Sequence, residues 1–243
     1  MLEAFLWGAL AGGALLIGAA AGLRFSFSQW AIGLVMAFGV GALISAVTYE
    51  LTAEAYQRGG APAVVVGLTA GALTFFVGDL VIDRRGGTHR KRSSGQQSDV
   101  GGAILLGAVL DGIPESVVIG ISLLEGGAVG IAFVLAVFIS NLPEGLSGAT
   151  GMRKAGHRPA GVLAMWAVVC VASAAAAALG FALADELAAG AVGVVQAFAA
   201  GAILTMLADT MMPEAFDEGG HRPWVGLVTV LGFATAVLLQ FLA

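Results

Sequence analysis

Charge is what this sequence has least of. Asp, Glu, Lys and Arg make up 11% of its 243 residues, where an average soluble domain carries about 25%. Too little polar surface remains to cover a water-soluble globule, so a soluble enzyme is excluded. Cysteine is nearly absent. Cys170 is the one thiol, so there is no intrachain disulfide and no CxxC metal motif; it lies in an apolar run and reads as packing. Histidine is scarce too, and His89, His157 and His221 all fall in loops. Segments of about ten residues with alternating polarity, the mark of a membrane β-barrel, are missing. What the chain does have is 58% hydrophobic residues, 37 glycines and a mean hydropathy of +0.94. A disordered chain needs the opposite composition. The net charge of -5 gives no reason to expect nucleic acid as a partner. The class left standing is an all-α integral membrane protein that passes its bilayer several times.

A helix needs about 20 apolar residues to cross a bilayer. Eight such stretches are expected, at roughly 4–23, 31–57, 61–83, 100–124, 128–152, 159–182, 188–215 and 223–242. Together they form one transmembrane domain over 1–243. The first lacks a positive leading region and begins with Glu3, so it reads as a retained span rather than a signal peptide. Gly and Ala crowd the runs, as in Ala172–Leu179. In lipid, small residues let helices approach closely and pack tightly.

Lys and Arg set the expected topology. With the N-terminus outside, the inner loops hold Arg24, Arg84, Arg85, Arg90, Lys91, Arg92, Arg153, Lys154, Arg158 and Arg222, and the outer side holds only Arg58. Cytoplasmic loops carry the excess of basic residues, so both termini are expected outside the cytoplasm of a cell (inner) membrane. Residues 84–99, RRGGTHRKRSSGQQSD, read as a flexible basic cytoplasmic loop.

The chemistry lies in carboxylates placed where lipid makes them costly. An intramembrane ionisable group costs roughly 2.5–3.5 kcal/mol and faces a bundle interior or a water-filled path. Glu50 and Glu54 fall in the second stretch, Asp111 and Glu115 in the fourth, Asn141 and Glu144 in the fifth, Asp209 and Glu214 in the seventh. No Lys or Arg stands among them in these stretches. Acids gathered without basic partners repel, and a bound cation or protons would relieve that. Asp111 and Glu115 are spaced i,i+4 and Asn141 and Glu144 i,i+3, so each pair shares a helix face. Each pair straddles a proline, Pro114 or Pro143, which frees a backbone carbonyl beside it. Oxygen ligands of this kind suit hard or borderline divalent ions. The PE pattern recurs as Pro114-Glu115-Ser116, Pro143-Glu144-Gly145 and Pro213-Glu214-Ala215, with a proline-free fourth version over Glu50–Ala55.

On these residues the chain resembles the ZIP (Zrt/Irt-like) family of divalent-metal transporters, of prokaryotic type. The family's fourth-span HNxPEG is met by Asp111-Gly112-Ile113-Pro114-Glu115-Ser116, its fifth-span PEG motif by Asn141-Leu142-Pro143-Glu144-Gly145, and its seventh-span HExxPE by Asp209–Glu214. The resemblance implies two bundles. Spans 1, 4, 5 and 6 would carry the ion by elevator-like sliding, and spans 2, 3, 7 and 8 would form an often dimeric scaffold. It implies metal ligation by Asp111, Glu115, Asn141 and Glu144, a transport path past Asp209 and Glu214, and guidance at the outer mouth by Glu50 and Glu54. The cargo it implies is zinc, or a similar ion such as cadmium, iron or manganese, moving toward the cytoplasm, with no resident cofactor.

Two departures sharpen this. Asp111 stands where the family has a histidine, and span 6 offers Ser173 rather than an acid, so one all-oxygen metal site is expected. Met206, Met211 and Met212 read as packing. The competing reading is a proton-coupled carrier of another solute, using the same acids as a relay. A metal sensor or store without transport is a third. An intramembrane enzyme is not expected, because no span holds the histidine of a HExxH-type site.

Overall fold

The computed structural model describes residues 1–84, 101–123, 129–218 and 223–242, and among these every regular element is helical. The order is α1 (Leu2–Arg24), α2 (Gln29–Ala46), a π-helical segment (Val47–Thr52), α3 (Ala53–Ile82), α4 (Gly101–Ser122), α5 (Val129–Lys154), α6 (Pro159–Glu186), α7 (Ala189–Met206), a second π segment (Leu207–Met211), α8 (Met212–Glu218) and α9 (Trp224–Leu242). Of the expected basic loop, all but Arg84 lies outside the described residues, as do His89, His221 and Arg222.

Seven stretches among the described residues are long and apolar enough to cross a membrane. One of them, 29–82, runs for 54 residues. At 1.5 Å per residue a straight helix of that length would reach about 80 Å, well beyond a hydrocarbon core of about 30 Å. It is broken at Gly60, which has φ 66° and ψ -172°. That left-handed backbone is open to glycine and strained for other residues. Contacts with α7 show what the break does. Before it, Glu54 meets Gln196, and Gly59 lies near Gly190. After it, Gly67 sits on Ala197 and Gly71 on Phe198 and Ala202. The chain descends along α7 up to Gly60 and ascends along it afterwards, so Gln29–Gly59 and Pro62–Ile82 are the two arms of a hairpin.

The helices sort into two groups by packing. α1 lies on α5 and α6, and α4 lies on α6; α2 lies on α9, and α3 on α7. The groups meet where α2 touches α5 and α4 touches α7. Met36, Leu43, Phe75, Phe133, Ile203 and Met206 are buried in the largest core cluster, which straddles that junction. α9 is different. Only 11% of its span is buried, against 67% of an 18-residue apolar segment within the 29–82 stretch, which leaves its apolar face outward.

A repeat organises the second group. α2 and α7 are each 18 residues long and begin 160 positions apart, at Gln29 and Ala189. Both run into a π segment, at Val47 and Leu207. The sequences agree at that offset: Ala37, Phe38, Gly41, Ala42, Glu54 and Ala55 match Ala197, Phe198, Gly201, Ala202, Glu214 and Ala215. So do the contacts. Gly41 packs on the Thr229 carbonyl and Gly201 on that of Leu68; Phe38 covers Gly232 and Phe198 covers Gly71. A Cβ on Gly41 or Gly201 would collide with backbone, so these glycines set the helix spacing. The matching segments run antiparallel, which makes the repeat an inverted one.

Both π segments carry a threonine that bonds back one turn: Thr48 Oγ1 donates to the Ile44 carbonyl (2.7 Å) and Thr210 Oγ1 to that of Met206 (2.7 Å). Such back-bonding bends a helix, and π turns gather at functional positions. At the other end of the molecule α5 closes with Gly156 at φ 92°. His157 N–H donates to the Met152 carbonyl and Gly156 N–H to that of Arg153, the paired bonds of a Schellman end.

Candidate functional site

α4 and α5 each carry a polar turn in an apolar helix. On α4, Asp111, Glu115 and Ser116 are each 2% exposed. On α5, Ser140, Asn141, Glu144 and Ser147 are all buried. Both helices run unbroken through their prolines, Pro114 and Pro143. The Leu110 and Ile139 carbonyls, four residues earlier, therefore lack their helical donor. The Ile139 oxygen lies near Gly39 of α2.

Neighbouring helices shape the surroundings of these turns. Asn141 Nδ2 donates to the Ala11 carbonyl of α1 (3.1 Å), which fixes its amide and leaves its Oδ1 to accept elsewhere. Gly18 of α1 presses on the Leu142 carbonyl, and Gly145 on that of Leu15. A side chain at either glycine would push α1 and α5 apart beside the polar turn. Gly8 and Gly12 of α1 lie against Ser173 of α6, and Gly112 of α4 faces its Oγ. Ser173 thus stands where α1, α4 and α6 meet.

Among the described residues no three His, Cys, Asp or Glu side chains converge closely enough to hold a metal ion. Asp111, Glu115 and Glu144 are enclosed but not gathered into one such group. A cation at this place would have to draw them together, through rotation of side chains one turn apart on each helix.

The other expected residues divide. Glu50 is 6% exposed, on the first π segment, against the Phe133 backbone of α5. Glu54 is half-buried and accepts from Gln196 Nε2 at 2.8 Å. Glu214 is buried at the equivalent place on α8. Asp209 is exposed, so its carboxylate stands apart from the enclosed ones. His157 lies in the α5–α6 loop as expected, and Met206 and Met211 are buried in the apolar core.

Some polar residues escape a reading built on carboxylates and PE motifs. Gln196 is 1% exposed in the middle of α7. Its signal was available, as the one amide in the apolar run from Ala189 to Ala208. Asp79 and Asp83 lie one turn apart at the end of α3 that leads into the basic loop.

Helices of this length and composition, with acids buried inside them, define a multi-pass membrane protein. No protein-family model matches the chain. Over 204 residues it is 23% identical to a protein of Arabidopsis thaliana named "Putative zinc transporter At3g08650". The match takes in 83% of this chain but 32% of that relative, so this chain corresponds to about a third of the relative's length.

Proposed function

We propose that this protein is a ZIP-like divalent-metal transporter that moves zinc or a similar ion toward the cytoplasm. The observation that carries the reading is the pair of buried polar turns on α4 and α5: Asp111 with Glu115, and Asn141 with Glu144, each beside a proline inside a membrane-length helix. Keeping such groups in an apolar bundle is costly unless a cation or proton occupies them. The similarity to a protein named for zinc favours the cation.

In this reading the 29–82 hairpin counts as two spans, so the chain crosses a cell membrane eight times with both termini outside. α1, α4, α5 and α6 form the moving carrier. The inverted repeat of α2, α3, α7 and α9 forms the scaffold, with the outward face of α9 meeting lipid or a second copy. Asp111, Glu115, Asn141 and Glu144 hold the ion; Glu50, Glu54, Asp209 and Glu214 flank its path. The cargo needs no resident cofactor and no chemical step, so the protein is not an enzyme. Carboxylates and an amide in place of histidine suit manganese and ferrous iron as well as zinc.

The test is uptake of zinc, cadmium, manganese, iron and magnesium into liposomes holding the purified protein, beside Glu115→Ala and Glu144→Ala. Saturable uptake of one of the transition ions, lost in both variants while they still insert and elute as folded protein, is the expected result. Proton flux driven by an organic solute, with no metal bound or moved, overturns it in favour of a proton-coupled carrier. Metal binding without flux makes the protein a sensor or store.

A further inference from the structure

The two halves of the inverted repeat pack alike but do not carry the same polar groups. In one half, Glu54 of α3 accepts from Gln196 of α7 and is the charged neighbour of Glu50 on the first π segment. At the same offset the other half has Thr210, Glu214 and Met36. The scaffold therefore closes around a methionine and a threonine on one side. It has no packing need for a glutamine and a second glutamate on the other.

Gln196 is 1% exposed. Its Nε2 donates to Glu54 Oε2, and the amide oxygen on the same carbon is buried with no hydrogen-bond partner. Reversing the amide would set its oxygen against a carboxylate oxygen, so this orientation follows from charge. Glu50, 6% exposed, likewise has a buried Oε2 with no hydrogen-bond partner, and Glu54 is its charged neighbour one turn on. An unsatisfied buried polar atom is costly, and two of them on residues that both adjoin Glu54 mark a place where something binds. A cleft of about 300 Å³, lined by Arg58, Ile121, Asp185 and Val192, opens beside it. Val192 is one helical turn from Gln196, on the same face of α7.

We propose that Glu50, Glu54 and the Gln196 amide oxygen form a second cation subsite, on the scaffold side of the path and distinct from the α4–α5 turns. It rests on the transporter reading, since its ligand is the transported divalent ion, partly hydrated, held by three protein oxygens. Arg58, one turn beyond Glu54 and its charged neighbour, balances Glu54 while the subsite is empty. Glu50 touches α5 through Phe133, so an ion here sits at the seam between the two helix groups, where it can pass to the carrier.

The experiment is zinc uptake by the full chain in liposomes, as a function of outside zinc concentration, for the natural protein, Gln196→Met and Gln196→Glu. Methionine copies the residue that packs at the equivalent position of the other half. Loss of one ligand should raise the half-saturating concentration about tenfold, more than it lowers the maximal rate. Glutamate supplies a charged third oxygen and should lower the half-saturating concentration, which misfolding cannot imitate. If Gln196→Met does not fold, the glutamate variant alone decides. Half-saturation within about twofold of the natural protein in every folded Gln196 variant overturns the subsite and leaves the transporter reading intact. A natural protein that neither binds nor moves zinc, manganese or iron overturns both.

Discussion

The segment from Gln29 to Ala55 and the segment from Ala189 to Ala215 share a helix of equal length, a π turn at the same place and glycines with the same backbone contacts. They differ in polar cargo. One presents Glu50, Glu54 and, across the contact, Gln196; the other presents Thr210, Glu214 and Met36. Shared features are those that close helix packing needs, because small residues set the distance between backbones. Features found once are free of that need, and function is where they are explained. Both halves stand apart from α4 and α5, which hold the doubled polar turns.

The largest expected effect removes what the repeat does not contain. Glu144→Ala and Glu115→Ala should each reduce metal uptake by roughly a hundredfold, with the protein still inserted and folded by gel filtration in detergent. Next come the shared glycines. Gly41→Val and Gly201→Val each drive a side chain into a carbonyl of a packed neighbour, and should destabilise the fold by about 3 kcal/mol. The comparison predicts equal losses in thermal midpoint. A large loss in one and not the other would break the equivalence of the halves. Gly13→Ala on α1, where an added Cβ meets nothing within 4 Å, is the control and should stay within about 0.5 kcal/mol.

A comparable effect comes from building the missing polar set into the second half. Thr210→Glu alone should lower stability by about 2.5–3.5 kcal/mol. Met36→Gln added to it should restore about 0.6 kcal/mol through an interhelical hydrogen bond. Additivity in that double-mutant cycle would mean that the two positions do not share one polar cluster in the way Glu50 and Gln196 both adjoin Glu54. The smallest effect is expected at Asp209, which is exposed: Asp209→Asn should change uptake by less than about twofold, measured beside Glu214→Gln, whose carboxylate is buried.

Much of the architecture was legible in the chain. Long apolar runs with few charges require helices in a bilayer, since only they satisfy their own backbone there. The PE turns at Pro114 and Pro143 and the enclosed state of Glu115 and Glu144 follow from the cost of exposing an acid to lipid. The run from 29 to 82 turns at Gly60 rather than through a loop. Less was legible of the site. Asp209 and Glu214 share one motif, yet one is exposed and the other buried, because residues five apart fall about 140° around a helix of 3.6 residues per turn. Gln196 lies 142 positions from Glu54, and no local pattern ties the two together.

By itself, the sequence determined the membrane class, the helical content and the residues too costly to leave in lipid. Those are transfer energies, which belong to each residue and its near neighbours. Only the tertiary structure decided which of these residues meet. It set the direction of each hairpin arm along α7 and the inverted relation of the two halves. It brought Gln196 to Glu54, and Ser173 to Gly112. These depend on contacts between distant segments, whose energy exists only once the helices are packed.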